Sequence, residues 1–322
     1  MIMRTWRWVG LLAAGALCST LVFAQAWPNK PVRVVVPFTA GSATDILART
    51  VGQKLGEMWG QQVVVDNRAG AGGTIGAGMV AKAPADGYTL MVHSAAQAVN
   101  PFIYPSLPYD TLKDFVQVAP LAGQPNVLVT APATGYKTVS ELVADAKKKP
   151  GALNFGSAGI GSGGHLAGEL YKLMTGVKAE HIPYKGTGPA VMALLAGEYQ
   201  FNFAGLQGAQ PHVRSGRLRA IAVSAPRRVA ALPELPAVAE ALPGFEVVGW
   251  YGIIGPANLP GPILSRLHTE LVKILNQPEV RERIVVDGSE PVGSSPEDFR
   301  QFMLADLAKW ARVVKESGAK LE

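Results

Sequence analysis

Residues 32–45, VRVVVPFTAGSATD, constrain the fold more than any other stretch. Val34, Val35 and Val36 make a β-branched run that reads as a buried strand. Pro37 ends it, and a small-residue loop, Thr39-Ala40-Gly41-Ser42-Ala43, follows. Leu47, Val51, Leu55 and Met58 then recur on one helical face. Ser42 and Asp45, three apart ahead of that face, resemble a capping box. A strand that passes into a helix this way leaves free N–H groups and the positive end of the helix dipole in one space, which suits an anion. Residues 153–165, LNFGSAGIGSGGH, repeat the plan with a strand, a Gly/Ser loop and a helix over 165–175. Two such loops facing each other would hold both oxygens of a carboxylate with amides and hydroxyls alone.

The rest of the chain keeps the alternation. Strands are expected at 62–66, 88–93, 116–121, 126–130, 180–184, 199–203, 218–223 and 247–254. Helices are expected at 79–82, 139–148, 190–196, 209–215, 263–275, from Pro278, and at 296–316. Strand–helix–strand order implies parallel pairing with right-handed crossovers. Residues 100–114, rich in proline and turn residues, read as an irregular connection. The strand at 126–130 carries the chain into a second lobe, and the prolines between 227 and 243 mark its return. The division is therefore 27–124 plus 245–322 for one lobe and 125–244 for the other. Two lobes joined by two crossings describe a hinged protein that closes around a ligand. The stripe Phe299, Phe302, Met303, Leu307, Trp310 and Val314 reads as core packing.

Composition narrows the function. With 48% apolar and 17% charged residues in 322, the chain has the material for two packed cores. Its formal charge is +6, yet the only basic block, Lys147-Lys148-Lys149, ends a helix, and no aromatic-basic interleaving marks a nucleic-acid surface. Residues 1–26 read as a cleavable signal peptide. Arg4 and Arg7 precede an apolar run over 9–23, with small-residue cleavage sites after Ala24 and Ala26. The single cysteine, Cys18, lies in that segment and is preceded by bulky Leu17 rather than the small residue a lipoprotein would want. The exported chain then has no thiol or disulfide. His93, at a strand end, reads as structural, His181, His212 and His268 share no metal-like spacing, and no metal, cofactor or catalytic residue is expected.

Several dispersed motifs, in order, resemble a known family. Pro31-Val32-Arg33 with PFTAGSATD, NRAGAGGTIGA, ADGYTL, FGSAGIGSGGHL, HIPYKGTGPA, PHVRSGRLRAIAVS and GWYGIIGP are similar to the Bug receptors, the extracytoplasmic solute-binding proteins of tripartite tricarboxylate transporters. The resemblance runs from about Pro28 to the end. It implies an α/β fold, a two-lobed periplasmic binding protein of type II. Each lobe would be a mixed, mainly parallel sheet flanked by helices, with two crossover segments. It also implies a periplasmic monomer that captures a mono-, di- or tricarboxylate or an aromatic acid and delivers it to membrane subunits. Main-chain N–H groups of the two facing loops would hold one carboxylate. Carried over, the ligand contacts fall at Phe38, Thr39, Ala40 and Ser42; at Ser94, Ala95 and Gln97; at Ser157, Ala158, Gly161 and Ser162; and at Thr187, Gly205, Leu206, Trp250 and Tyr251. The family often has a second glycine after Gly41, where this chain has Ser42.

Other readings stand beside these. Asp45 touches the ligand or caps its helix. His165 donates to the ligand or orients its loop. Trp250 and Tyr251 wall the cleft or pack in a core, and Arg68 pairs with a distal carboxylate or braces its own loop. Gly159-Ile160-Gly161-Ser162-Gly163-Gly164 satisfies G-x-G-x-x-G and raises a nucleotide-using enzyme, but no acidic residue ends the next strand. A serine hydrolase fails on the nucleophile elbow: Phe155 and Ile160 stand two before Ser157 and Ser162, where glycine belongs. The same binding fold reporting to a sensor kinase is the remaining alternative.

Overall fold

The computed structural model describes residues 27–285 and 288–317. The signal peptide read at 1–26, with Cys18, lies outside the described residues. Strand β1 (Val32–Val36) runs parallel between β2 (Val63–Asn67) and β3 (Thr89–Ser94). β9 (Val248–Pro256) pairs antiparallel with β3, and β4 (Phe115–Thr130) pairs antiparallel with β9 on its other side. Past Pro125 the same β4 enters a second sheet, pairing antiparallel with β7 (Phe201–Gly205) and β8 (Arg219–Val223). There β5 (Leu153–Ser157) lies parallel to both β6 (Ala179–Pro183) and β7. The chain returns beside this crossing, where Val247 N–H donates to Ser224 O and Ser224 N–H to Asn126 O. A two-residue strand, β10 (Glu290–Pro291), adds to β4.

Three expectations need correction. The strands read at 116–121 and 126–130 are one 16-residue strand, because Pro120 and Pro125 interrupt the apolar pattern without interrupting the extended backbone. The helix placed at 79–82 is α2 (Thr74–Ala81), which starts as soon as the glycine turn ends. The connection read at 100–114 begins inside a helix, α3 (Ala96–Ile103), that contains Pro101. A proline deep in a short helix removes one ladder bond. Burial of Ala98, Val99 and Ile103 in the core offsets that loss.

The helices that matter for function follow strands directly. They are α1 (Ala43–Trp59), α5 (Gly163–Thr175), α6 (Thr187–Ala196) and α7 (Leu206–Arg214), with α4 (Val139–Lys148) ahead of β5. α4 carries a capping box: Thr138 Oγ1 accepts the Glu141 N–H, and Glu141 reaches back to the Thr138 N–H. After α8 (Val238–Ala241) and β9 come α9 (Gly261–Leu275), α10 (Pro278–Val285) and α11 (Pro296–Ser317). Phe299, Met303 and Trp310 of α11 are buried as expected and lie in one apolar cluster with Val99 of α3 and Leu166 of α5. Phe155, Phe201 and Phe203 fill the second sheet's core. Each such burial contributes about 1.5–3 kcal/mol.

Candidate functional site

The two strand–loop–helix units share one hydrogen-bonded turn. Ser42 and Ser162 are the N-caps of α1 and α5, with φ/ψ of −69°/158° and −69°/156°. Each serine Oγ accepts the N–H three residues on, from Asp45 and His165, at 3.3 Å in both. In return Asp45 Oδ2 accepts the Gly41 N–H at 2.9 Å, and His165 Nδ1 accepts the Gly161 N–H at 3.1 Å. This resembles a capping box reaching one residue further back. Gly41 and Gly161 sit at φ 80° and 78°, where a side chain would be strained, whereas Ser42 has an extended conformation open to any residue. The serine at the family's frequent second-glycine position therefore fits this turn without strain.

The turn decides which amides are free. The N–H groups of Gly41, Ser42, Gly161 and Ser162 are consumed inside the loops. Those of Ala43, Thr44, Gly163 and Gly164, the first turn of each helix, find no acceptor among the described residues. All four residues line one cavity of about 430 Å³. α3, α6 and α7 also begin on its wall, at Ala95-Ala96, Thr187 and Gly205, so five helix N-termini converge there. No lining residue carries a charged side chain.

Of the residues expected from sequence, Phe38, Ser42, Ser94, Ala95, Ala158, Gly161, Ser162, Thr187, Gly205, Trp250 and Tyr251 line this cavity. Thr39 and Ala40 are exposed and do not line it. Gln97 is buried behind the wall, 3.5 Å from the Tyr109 hydroxyl, and Leu206 is in the core. Asp45, Ser157 and His165 are buried supports. Burial pushes the Asp45 carboxyl up, but Arg49, the Gly41 N–H and Asn67 outweigh it and hold it below the usual range. Ser157 Oγ accepts the Gly159 N–H at 3.1 Å and lies 2.7 Å from His181 Nε2. Ser157 is wholly buried, so it is not presented to a substrate. The His181 ring stacks on His165 with centroids 4.1 Å apart. Burial, with Lys172 nearby, lowers His165 to about 4; burial, His165 and Lys172 lower His181 to about 3. Both imidazoles are neutral at neutral pH. Arg68 braces Asp66 at 3.0 Å and stays out of the wall.

Trp250 does both things its sequence suggested. It lines the cavity, yet it is 3% exposed, donates to Asp306 Oδ2 at 3.1 Å and packs edge-on against Phe299. Sequence reasoning missed Asn100, Ile103 and Tyr104 because α3 was read as irregular. It also missed Gln124 and Asn126, two residues apart on β4 and therefore on one face of the crossing strand. The signal for the last two is a pair of carboxamides either side of Pro125, where the strand crosses between sheets. Tyr251 O–H donates to Gln124 Oε1 at 2.6 Å and ties the two crossing strands together at the cavity floor.

A family model described as "Tripartite tricarboxylate transporter family receptor" matches residues 47–319. The chain belongs to this receptor family. Protein BugT of Bordetella pertussis is 38% identical over 317 residues, spanning 98% of this chain and 97% of BugT. Rpa4515 of R. palustris, solved with adipate, is 36% identical with a TM-score of 0.79, covering 92% of this chain and 100% of that one. MatC from Rhodopseudomonas palustris, solved with bound malate, is 32% identical with a TM-score of 0.74, covering 89% and 100%. The family and these neighbours are solute-binding receptors rather than enzymes, with a two-lobed α/β fold. The nucleotide-enzyme and hydrolase readings fall with that assignment.

Proposed function

We propose that this chain is a periplasmic receptor that captures a small carboxylate between its two halves and passes it to the membrane subunits of a tripartite tricarboxylate transporter. One observation carries the reading: five helix N-termini and four unclaimed N–H groups face a cavity whose wall has no charged side chain. An anion there meets dipoles oriented before it arrives, which costs little reorganisation. A cation would meet no opposite charge.

The direct donors are the amides of Ala43, Thr44, Gly163 and Gly164. Because the Oγ atoms of Ser42 and Ser162 already accept backbone N–H groups, their O–H hydrogens remain for the ligand. Ser94, Thr187 and Gln124 add polar groups, and Phe38, Trp250 and Tyr251 cover the carbon skeleton. Relatives solved with adipate and malate support a carboxylate ligand. Residues 27–124 with 245–322 form one moving body and 125–244 the other, since the chain changes sheets at 125–126 and near 247. The protein acts as a monomer, exported by a signal peptide at 1–26.

The test is a thermal-shift screen of mono-, di-, tri- and aromatic carboxylates beside their neutral amides. At least one acid raises the melting temperature by mass action while its amide does not. Equal shifts from acid and amide refute the anion site.

A further inference from the structure

The two loops share a backbone but not a charge. The third helical residue accepts the glycine N–H in both, yet it is a carboxylate, Asp45, on α1 and an imidazole, His165, on α5. Both side chains are 3% exposed and neither lines the cavity. The difference therefore acts through the helix ends and not through contact.

At α1 the positive helix end is already answered by an ionised group in its first turn, whose partner Arg49, 3.0 Å away, is 54% exposed and screened by solvent. At α5 the first turn holds no acidic residue. His165 does the structural work of Asp45 without charge. The groups that face it are His181 of β6, stacked on its ring, and Glu169 of α5, whose Oε1 is 4.0 Å from His165 Nε2. Lys172 pairs with Glu169 at 2.9 Å and neutralises it.

Building on the carboxylate-receptor reading, the geometry points to an unequal division of labour. The α5 end carries most of the ligand's negative charge, α1 supplies amides with little net field, and His165 is the residue that keeps α5 selective for an anion. His165 is a positioning residue: it shapes the Gly161 turn and excludes a negative charge from behind the site.

The test exchanges charge at constant turn geometry. Adipate, malate, citrate and benzoate are titrated calorimetrically at pH 7.5 into wild type, His165→Asn, His165→Asp and Asp45→Asn. The Gly161 amide shift and the melting temperature report the loop and the fold. His165→Asn keeps a neutral acceptor and binds within about fivefold of wild type. His165→Asp keeps the acceptor but adds a like charge in the first turn of α5, where Asp45 stands in α1, and weakens binding by about tenfold. Asp45→Asn binds more tightly, by about three- to tenfold. Undiminished binding by His165→Asp, or weaker binding by Asp45→Asn, overturns the proposal. Should His165→Asp not fold, the sign of the Asp45→Asn change decides alone. Failure of every carboxylate of the thermal-shift screen to bind wild type overturns the carboxylate reading, and this proposal with it.

Discussion

His93 makes the stability of this protein depend on pH in a window that opens well above the carboxylate range. It ends β3 beside the cavity, is wholly buried, and packs edge-on against Phe38 at 5.5 Å. Its Nδ1 accepts the Ser94 N–H at 2.8 Å, while Nε2 is buried without a partner among the described residues. Burial lowers its pKa from 6.5 to about 4. Above pH 6.5 the imidazole is neutral in both folded and unfolded chains. As pH falls through 6.5 the unfolded chain takes a proton that the folded chain refuses, so stability drops until about pH 4. A gap of about two and a half pH units corresponds to about 3 kcal/mol for this one group, most of it gone by pH 4.5. His165 and His181 act in the same direction over the same range. Urea unfolding followed by circular dichroism at pH 7.5, 5.5 and 4.5 measures the slope. His93→Asn, whose side-chain oxygen can still accept from Ser94, starts less stable at pH 7.5 but loses about 2–3 kcal/mol less on acidification to pH 4.5. An identical slope in the two proteins refutes the assignment.

Three further outcomes follow from the packing. Gly168→Ala places a methyl 2.1 Å from the Phe155 ring, on the buried face of α5, and lowers stability by about 1–3 kcal/mol in chemical denaturation. Ser162→Ala removes the α5 cap and costs about 1 kcal/mol of stability, with ligand affinity falling further than the same change at exposed Ser140 produces. Tyr251→Phe releases Gln124 at the cavity floor; it leaves the melting temperature within a few degrees but weakens carboxylate binding several-fold, read by calorimetry.

Local order was legible where local chemistry sets it. The caps at Ser42 and Thr138, the strand at β1 and the stripe of α11 all follow from side-chain type and spacing, interactions within a few residues of each other. α3 is not legible, because Pro101 argues against a helix and only its burial against α11 argues for one. β4 was read as two strands for the same reason: its prolines are tolerated by partners that lie more than a hundred residues away, in β9.

The sequence by itself determined that two glycine–serine turns would each open a helix, because a left-handed glycine and a serine cap need no distant partner. Only the tertiary structure decided that these turns face one cavity, and that their glycine amides are spent on Asp45 and His165 while the amides one turn on stay free. The physical reason is reach. A cap is written within four residues, whereas the convergence of five helix ends depends on β4 and β9 joining the two sheets.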